Sequence, residues 1–149
     1  MHFMNDSLHI NIWLQDEPID ESTFLSGNNS LCGAFVNFFG KTRQERHEKH
    51  GDLSGLHYTS HSEMAVEALT TIANKVASKH DCKCVTICHR VGMVHVGESS
   101  VAVAVSAPHR SSALNATEDI MNQLKSKVPI WKEEHWASGT TWSEGTPIT

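Results

Sequence analysis

Apolar and polar positions divide the chain into short alternating runs and two longer periodic ones. Residues 8–14, LHINIWL, alternate and predict a first strand with one buried face. PIDESTFLSG (18–27) suits a helical turn leading into a Gly27-Asn28-Asn29 loop. LCGAFVNFFG (31–40) is dense in aromatic and apolar residues and reads as a buried strand that stops at Gly40. KTRQERHEKHGD (41–52) is polar throughout and is expected to be a mobile loop. A short strand is expected around Leu56–Tyr58. CVTICHRVG (84–92) and SSVAVAVSAP (99–108) predict two more strands, joined by MVHVGE.

Two helices stand out. Ser60-x-x-Glu63 has the spacing of a capping box, and Ala65, Ala68, Leu69, Ile72, Ala73 and Val76 recur at three- and four-residue intervals. The second helix is predicted from about Ser111 to Lys125, with Ala113, Leu114, Thr117, Ile120, Met121 and Leu124 as its apolar face. Pro129 ends it, because a residue before proline is pushed out of helical geometry. The segment from 136 to 149 is small and polar and is expected to be a loose tail. The order β-β-β-α-β-β-α, with no repeat and no low-complexity linker, predicts one α+β domain over residues 1–149, its two main helices packed on one sheet.

A chain of 149 residues buries roughly 68–70% of its unfolded surface, so it needs no disulfide or metal staple. Net charge is −5 with histidines neutral, which argues against bulk binding of nucleic acid or an anionic membrane. The first residues carry no basic region followed by a long apolar stretch, so no signal peptide and no membrane helix are expected. The four cysteines are then expected as reduced thiols in the cytosol.

Charge is placed unevenly. LKSKVPIWKEEHW sets Lys125, Lys127 and Lys132 around a proline-aromatic break. Lys125 and Lys127 complement a helix C-terminus, or they face an anion. SAPHRSSA puts His109 and Arg110 at the start of the same helix, where free N–H groups and a guanidinium suit an anion; the serines equally serve as N-caps. Lys41 and Arg43 follow a strand end, a common position for functional residues. Cys84 and Cys88 on one strand would lie about 13 Å apart, too far to share a zinc ion. The eleven histidines show no metalloprotease spacing, and no metal site is expected.

The segments GAFVNFFGKTR, CHRVG, VAVAVSAPHRSSA and LKSKVPIWKEE, in this order between about Leu31 and Trp136, resemble the large, catalytic subunit of molybdopterin synthase. The resemblance implies an α/β hammerhead-type fold and a sulfurtransferase without a cofactor of its own. It implies conversion of cyclic pyranopterin monophosphate into the molybdopterin dithiolene. The sulfur would come from the C-terminal Gly-Gly thiocarboxylate of a small ubiquitin-like partner, in a heterotetramer built on a homodimer of the large subunit. It implies Lys125 as the main general acid/base or electrostatic catalyst, with Lys132 assisting. Lys41, Thr42, Arg43, His109, Arg110, Glu133 and Glu134 are implied as substrate-binding. The sequence departs from the family pattern at His57, Thr59 and His61, where acids and a tyrosine are usual, and at Glu133, where a basic residue is frequent. A non-catalytic scaffold for a ubiquitin-like partner and a histidine-based metal-binding module are the rival readings.

Overall fold

The computed structural model describes residues 8–26 and 29–143. The expected loop at Gly27-Asn28 and the last six residues of the expected tail lie outside the described residues. The chain runs β1 (His9–Gln15), a single 3₁₀ turn (Glu21–Phe24), β2 (Ala34–Lys41), β3 (Arg46–His47), β4 (Gly51–Ser60), α1 (Ser62–His80), β5 (Cys84–Arg90), β6 (Gly92–His95), β7 (Ser99–Ala107), α2 (Arg110–Lys127), β8 (Ile130–Trp136) and β9 (Gly139–Trp142).

A four-stranded mixed sheet in the order β1-β5-β7-β2 carries both helices. Only the β1–β5 pair is parallel. Strand β7 is buried at all nine positions. Alternation sends Val101, Val103 and Val105 into the main core with Leu69, Ile72, Ile120 and Leu124 of the helices. Ala102 and Ala104 face a smaller cluster with Phe24, Phe35 and Phe39, where Phe24 stacks on Trp13 at 5.8 Å. The α+β expectation and the two helices on a mixed sheet hold.

The expectation of one sheet is corrected: a second sheet, β3-β4-β8-β9 with β6 also on β4, is present, and of its strands the sequence reading has only the short one around Leu56–Tyr58, inside β4. The expected loop 41–52 contains β3 and the start of the ten-residue β4. The expected loose tail is ordered at Gly139–Trp142 as β9, in register with β8. These strands are polar because an antiparallel sheet can leave one face in water, and their charges conceal the period.

Local signals are overridden at two further places. Ser60 is not a helix cap: it pairs with Ile130 in the β4–β8 ladder, and His61 takes the N-cap position without a side-chain bond. Leu114 points outward and is 55% exposed, while Ala116 takes its place in the core. Pro129 does end α2: Val128 adopts extended backbone angles directly before it. No helix among the described residues is long and apolar enough to cross a membrane.

One buried arginine joins the two sheets. Arg90 is 4% exposed and donates to the Glu98 carboxylate at 3.1 Å and to the Asp16 and Met93 carbonyls at 3.0 Å. Lysine cannot span these acceptors at once. Arg90→Lys is expected to cost about 2–3 kcal/mol, or roughly 4–12 °C in Tm. The Glu98 carboxyl is held below the usual range, chiefly by the His95 N–H against the opposing effect of burial, with the Arg90 hydrogen bond and charge adding to the lowering. Its contribution is therefore full above the ordinary glutamate value of about 4.3 and is lost as pH falls through the lower folded value. Denaturation at neutral and acid pH should show the wild-type advantage shrinking in acid.

Candidate active site

A cavity of about 570 Å³ opens between the end of β2, the start of β7, the last turn of α2 and the inner faces of β4 and β8. Each wall delivers its side chains for a local reason. The β2–β7 register slips between Gly40 and Lys41, a bulge that re-aims the chain at a strand end. Gly40 is needed there, since a Cβ would lie 2.8 Å from Val101 Cγ1. Thr42 is then pinned on both sides: its N–H donates to the Glu98 carbonyl at 3.1 Å, and its carbonyl accepts from Gly97 at 2.8 Å. Gly97 has φ of +91°, a turn conformation suited to glycine. This places Lys41, Thr42 and Arg43 along one rim of the cavity.

The opposite rim comes from α2 and β8. Lys125 lies in the last turn of α2, and Pro129 turns the chain into β8. Alternation along β8 then points Lys132 and Glu134 into the cavity. Glu133 faces away, bonded to His135 at 2.8 Å. Strand β9 orients Glu134: the Trp136 indole donates to Thr141 Oγ1 at 2.9 Å, and that hydroxyl donates to Glu134 Oε1 at 2.7 Å.

The cavity is cationic inside an acidic chain. Lys41, Arg43, Lys125 and Lys132 line it against Glu45 and Glu134. Lys41 is paired with Glu21 at 2.7 Å, and Arg43 approaches Glu45 at 3.6 Å. Burial holds the Lys132 ammonium below the ordinary lysine range; Glu134 opposes this, Lys125 adds to it, and Glu45 and Arg43 follow with smaller opposing effects. A half-buried lysine that releases its proton more readily suits both anion binding and proton transfer.

Six of the nine residues singled out from the sequence meet here: Lys41, Thr42, Arg43, Lys125, Lys132 and Glu134. Glu133 does not, because it occupies the other face of β8. His109 and Arg110 do not either. They sit exposed at the opposite end of α2, about 22 Å from Lys125 along the helix axis. The sequence reading missed Glu45, Tyr58, His89 and Ser100, which also line the cavity. Tyr58 is cross-strand partner to Lys132, a pairing no local pattern reveals. Among the described residues no group of three or more His, Cys, Asp or Glu side chains is arranged to hold a metal.

The family described as MoaE protein matches residues 14–127. A molybdopterin synthase catalytic subunit from Coccidioides immitis is 40% identical over 132 residues, 88% of this chain; the match spans 66% of that relative's length, just under two thirds. The crystal structure of molybdopterin synthase from Staphylococcus aureus superposes with a TM-score of 0.78 at 30% identity, covering 95% of this chain and 98% of that one. A complex of subunits 1 and 2 of molybdopterin-converting factor from Helicobacter pylori shares the fold, with a TM-score of 0.66 at 22% identity over 91% of this chain and 90% of that one.

The cavity's electrostatics are testable without substrate. Lys132 should titrate below the free-lysine value of about 10.4. Glu134→Gln removes the main opposing charge and should move it lower still; Lys125→Ala should move it up. NMR of isotopically methylated lysines across a pH series reads all three.

Proposed function

The chain belongs to the MoaE protein family, and from that premise we infer that it is the catalytic, sulfur-transferring subunit of a molybdopterin synthase. The observation that carries this is the convergence of Lys41, Arg43, Lys125 and Lys132, from three separate segments, around one cavity. The substrate we assign is cyclic pyranopterin monophosphate, and the sulfur donor is the C-terminal thiocarboxylate of a small ubiquitin-like subunit. The two-subunit assembly of the Helicobacter pylori factor supports such a partner. The four free thiols of the chain are consistent with a cytosolic setting and need carry no sulfur.

Both reactants are anionic, and the cationic rims hold them together against their mutual repulsion. The thiocarboxylate sulfur bonds to a carbon of the pterin side chain as a carbon–oxygen bond there breaks, the oxygen leaving on the opened cyclic phosphate for one sulfur and as water for the other. The partner's carbonyl stays joined to the substrate through the new sulfur. Water then attacks the carbonyl. The carbonyl–sulfur bond breaks, the partner leaves as a carboxylate, and the sulfur stays on the pterin. A second donor repeats the cycle to complete the dithiolene. Lys125 stabilises the negative oxygen that develops on the carbonyl. Lys132, with its more labile proton, assists in proton transfer, and Glu134 holds it in place. Thr42 contacts substrate from the inner wall.

His109 and Arg110 enter this scheme only through a second copy of the chain, since α2 keeps them from the same protomer's lysines. The proposal therefore includes a homodimer in which one copy's helix start reaches its partner's cavity.

Reconstitution tests the reading. The wild type, mixed with thiocarboxylated partner and cyclic pyranopterin monophosphate, should form dithiolene. Lys125→Ala should lose roughly 10²- to 10³-fold in rate while still binding the partner. Absence of wild-type product despite tight partner binding would favour a scaffold. Mixing inactive Lys125→Ala with inactive Arg110→Ala chains should restore part of the activity, because mixed dimers contain one intact site. No recovery in confirmed mixed dimers would remove His109 and Arg110 from the cross-subunit role.

A further inference from the structure

The cavity has an uncharged inner wall that the scheme above leaves largely unused. His89 lines it and is 3% exposed. Its ring meets Tyr58 edge to face at 5.1 Å. Its Nδ1 lies 2.7 Å from the Arg90 carbonyl oxygen. A carbonyl only accepts, so Nδ1 carries the ring's proton and Nε2 carries a lone pair. Among the described residues nothing hydrogen-bonds to Nε2. Thr42, 3% exposed on the same cavity, has a buried hydroxyl oxygen with no partner. Leaving such a group unpaired is costly, and a buried polar atom without a partner calls for an explanation, which a ligand in this cavity would supply.

The rims and the inner wall ask for different chemistry. The lysines and Arg43 only donate and suit an anion. The free nitrogen of His89 only accepts and would repel one. We propose that His89 is a positioning residue whose Nε2 accepts a hydrogen bond from an amide N–H of the bound ligand, with the Thr42 hydroxyl as a second contact. This rests on the function proposed above, where two reactants carry that chemistry: the lactam edge of the pterin ring and the peptide groups of the partner's Gly-Gly tail. Burial pushes the His89 pKa down to about 4, against a smaller opposing effect of its bond to Arg90. It therefore stays neutral near pH 7 and is too weak a base to drive proton transfer.

The test uses the full chain reconstituted with its partner. His89→Met leaves only a weak thioether acceptor and His89→Gln keeps a strong one at similar reach. Three quantities are measured: KM for cyclic pyranopterin monophosphate, kcat, and Kd for the partner in its carboxylate form. His89→Met should weaken one ligand roughly ten- to hundredfold, because a ligand N–H is buried without a good acceptor. The loss should fall on KM or Kd more than on kcat, and His89→Gln should recover most of it. A rise in KM identifies the pterin; a rise in partner Kd identifies the tail. Thr42→Val guards against misfolding of the histidine variants. Its hydroxyl bonds nothing in the protein, so Tm should hold or rise while the same ligand weakens. Unchanged KM and Kd in both His89→Met and Thr42→Val would overturn the assignment. So would a loss in His89→Met that His89→Gln fails to recover while Thr42→Val leaves both ligands unaffected. A wild type that binds neither ligand would sink the proposed function itself, a different result from wild-type turnover that the variants leave unaltered.

Discussion

The buried guanidinium of Arg90 is the constraint on which the site's geometry depends. A charge this far from water is tolerated when it is paired and most of its donors are met. Arg90 leaves Nε without a partner, but its two terminal nitrogens draw together three segments that share no local signal: the end of β1 through Asp16, the β6 strand through Met93, and the turn before β7 through Glu98. That turn is also the anchor for Thr42. The same residue that joins the two sheets thus fixes the height and direction of the Lys41–Arg43 rim. Its carbonyl sets the tautomer of His89. Residue 90 thus touches both walls of the cavity, the cationic one through its guanidinium and the neutral one through its backbone carbonyl.

Assembling like charges in one pocket costs stability, and the fold shows how the cost is limited. Lys41 is drawn to Glu21, whose carboxylate also accepts from Ser99. Glu134 partly offsets the burial of Lys132, and its own oxygen is held by the Thr141 hydroxyl. Arg43 and Lys125 remain exposed, where water screens them until a ligand arrives. The cavity is poised toward anions because its neutralising groups are fewer than its cations.

Much of the scaffold was legible along the chain because its signals are local. Strand β7 announces itself as an alternating Val/Ala run, and both helices show their apolar stripes. Pro129 marks the end of α2 by a steric rule that no tertiary contact relaxes. The failures share one cause. In β3, β6, β8 and β9, at the ends of β4, and at Ser60, the residues' own preferences are weak and the partner strand decides. Ser60 has the spacing of a helix cap, but the ladder with Ile130 supplies backbone bonds that a cap cannot match. Gly139–Trp142 reads as a polar tail until β8 pairs with it.

The sequence by itself determined the class of the fold, the two helices, and the supply of cations at a strand end and around a proline break, because periodicity, sterics and charge are written into neighbouring residues. Its resemblance to one family named the chemistry. Tertiary structure alone decided which of those residues meet. It brought Lys41 and Arg43 against Lys125 and Lys132 from distant segments, and turned Glu133 away by strand alternation. It left His109 and Arg110 a helix length away, and it placed His89, with one ring nitrogen already committed, on the cavity wall. Distances between segments far apart in sequence depend on how sheets and helices pack, and no local pattern encodes them.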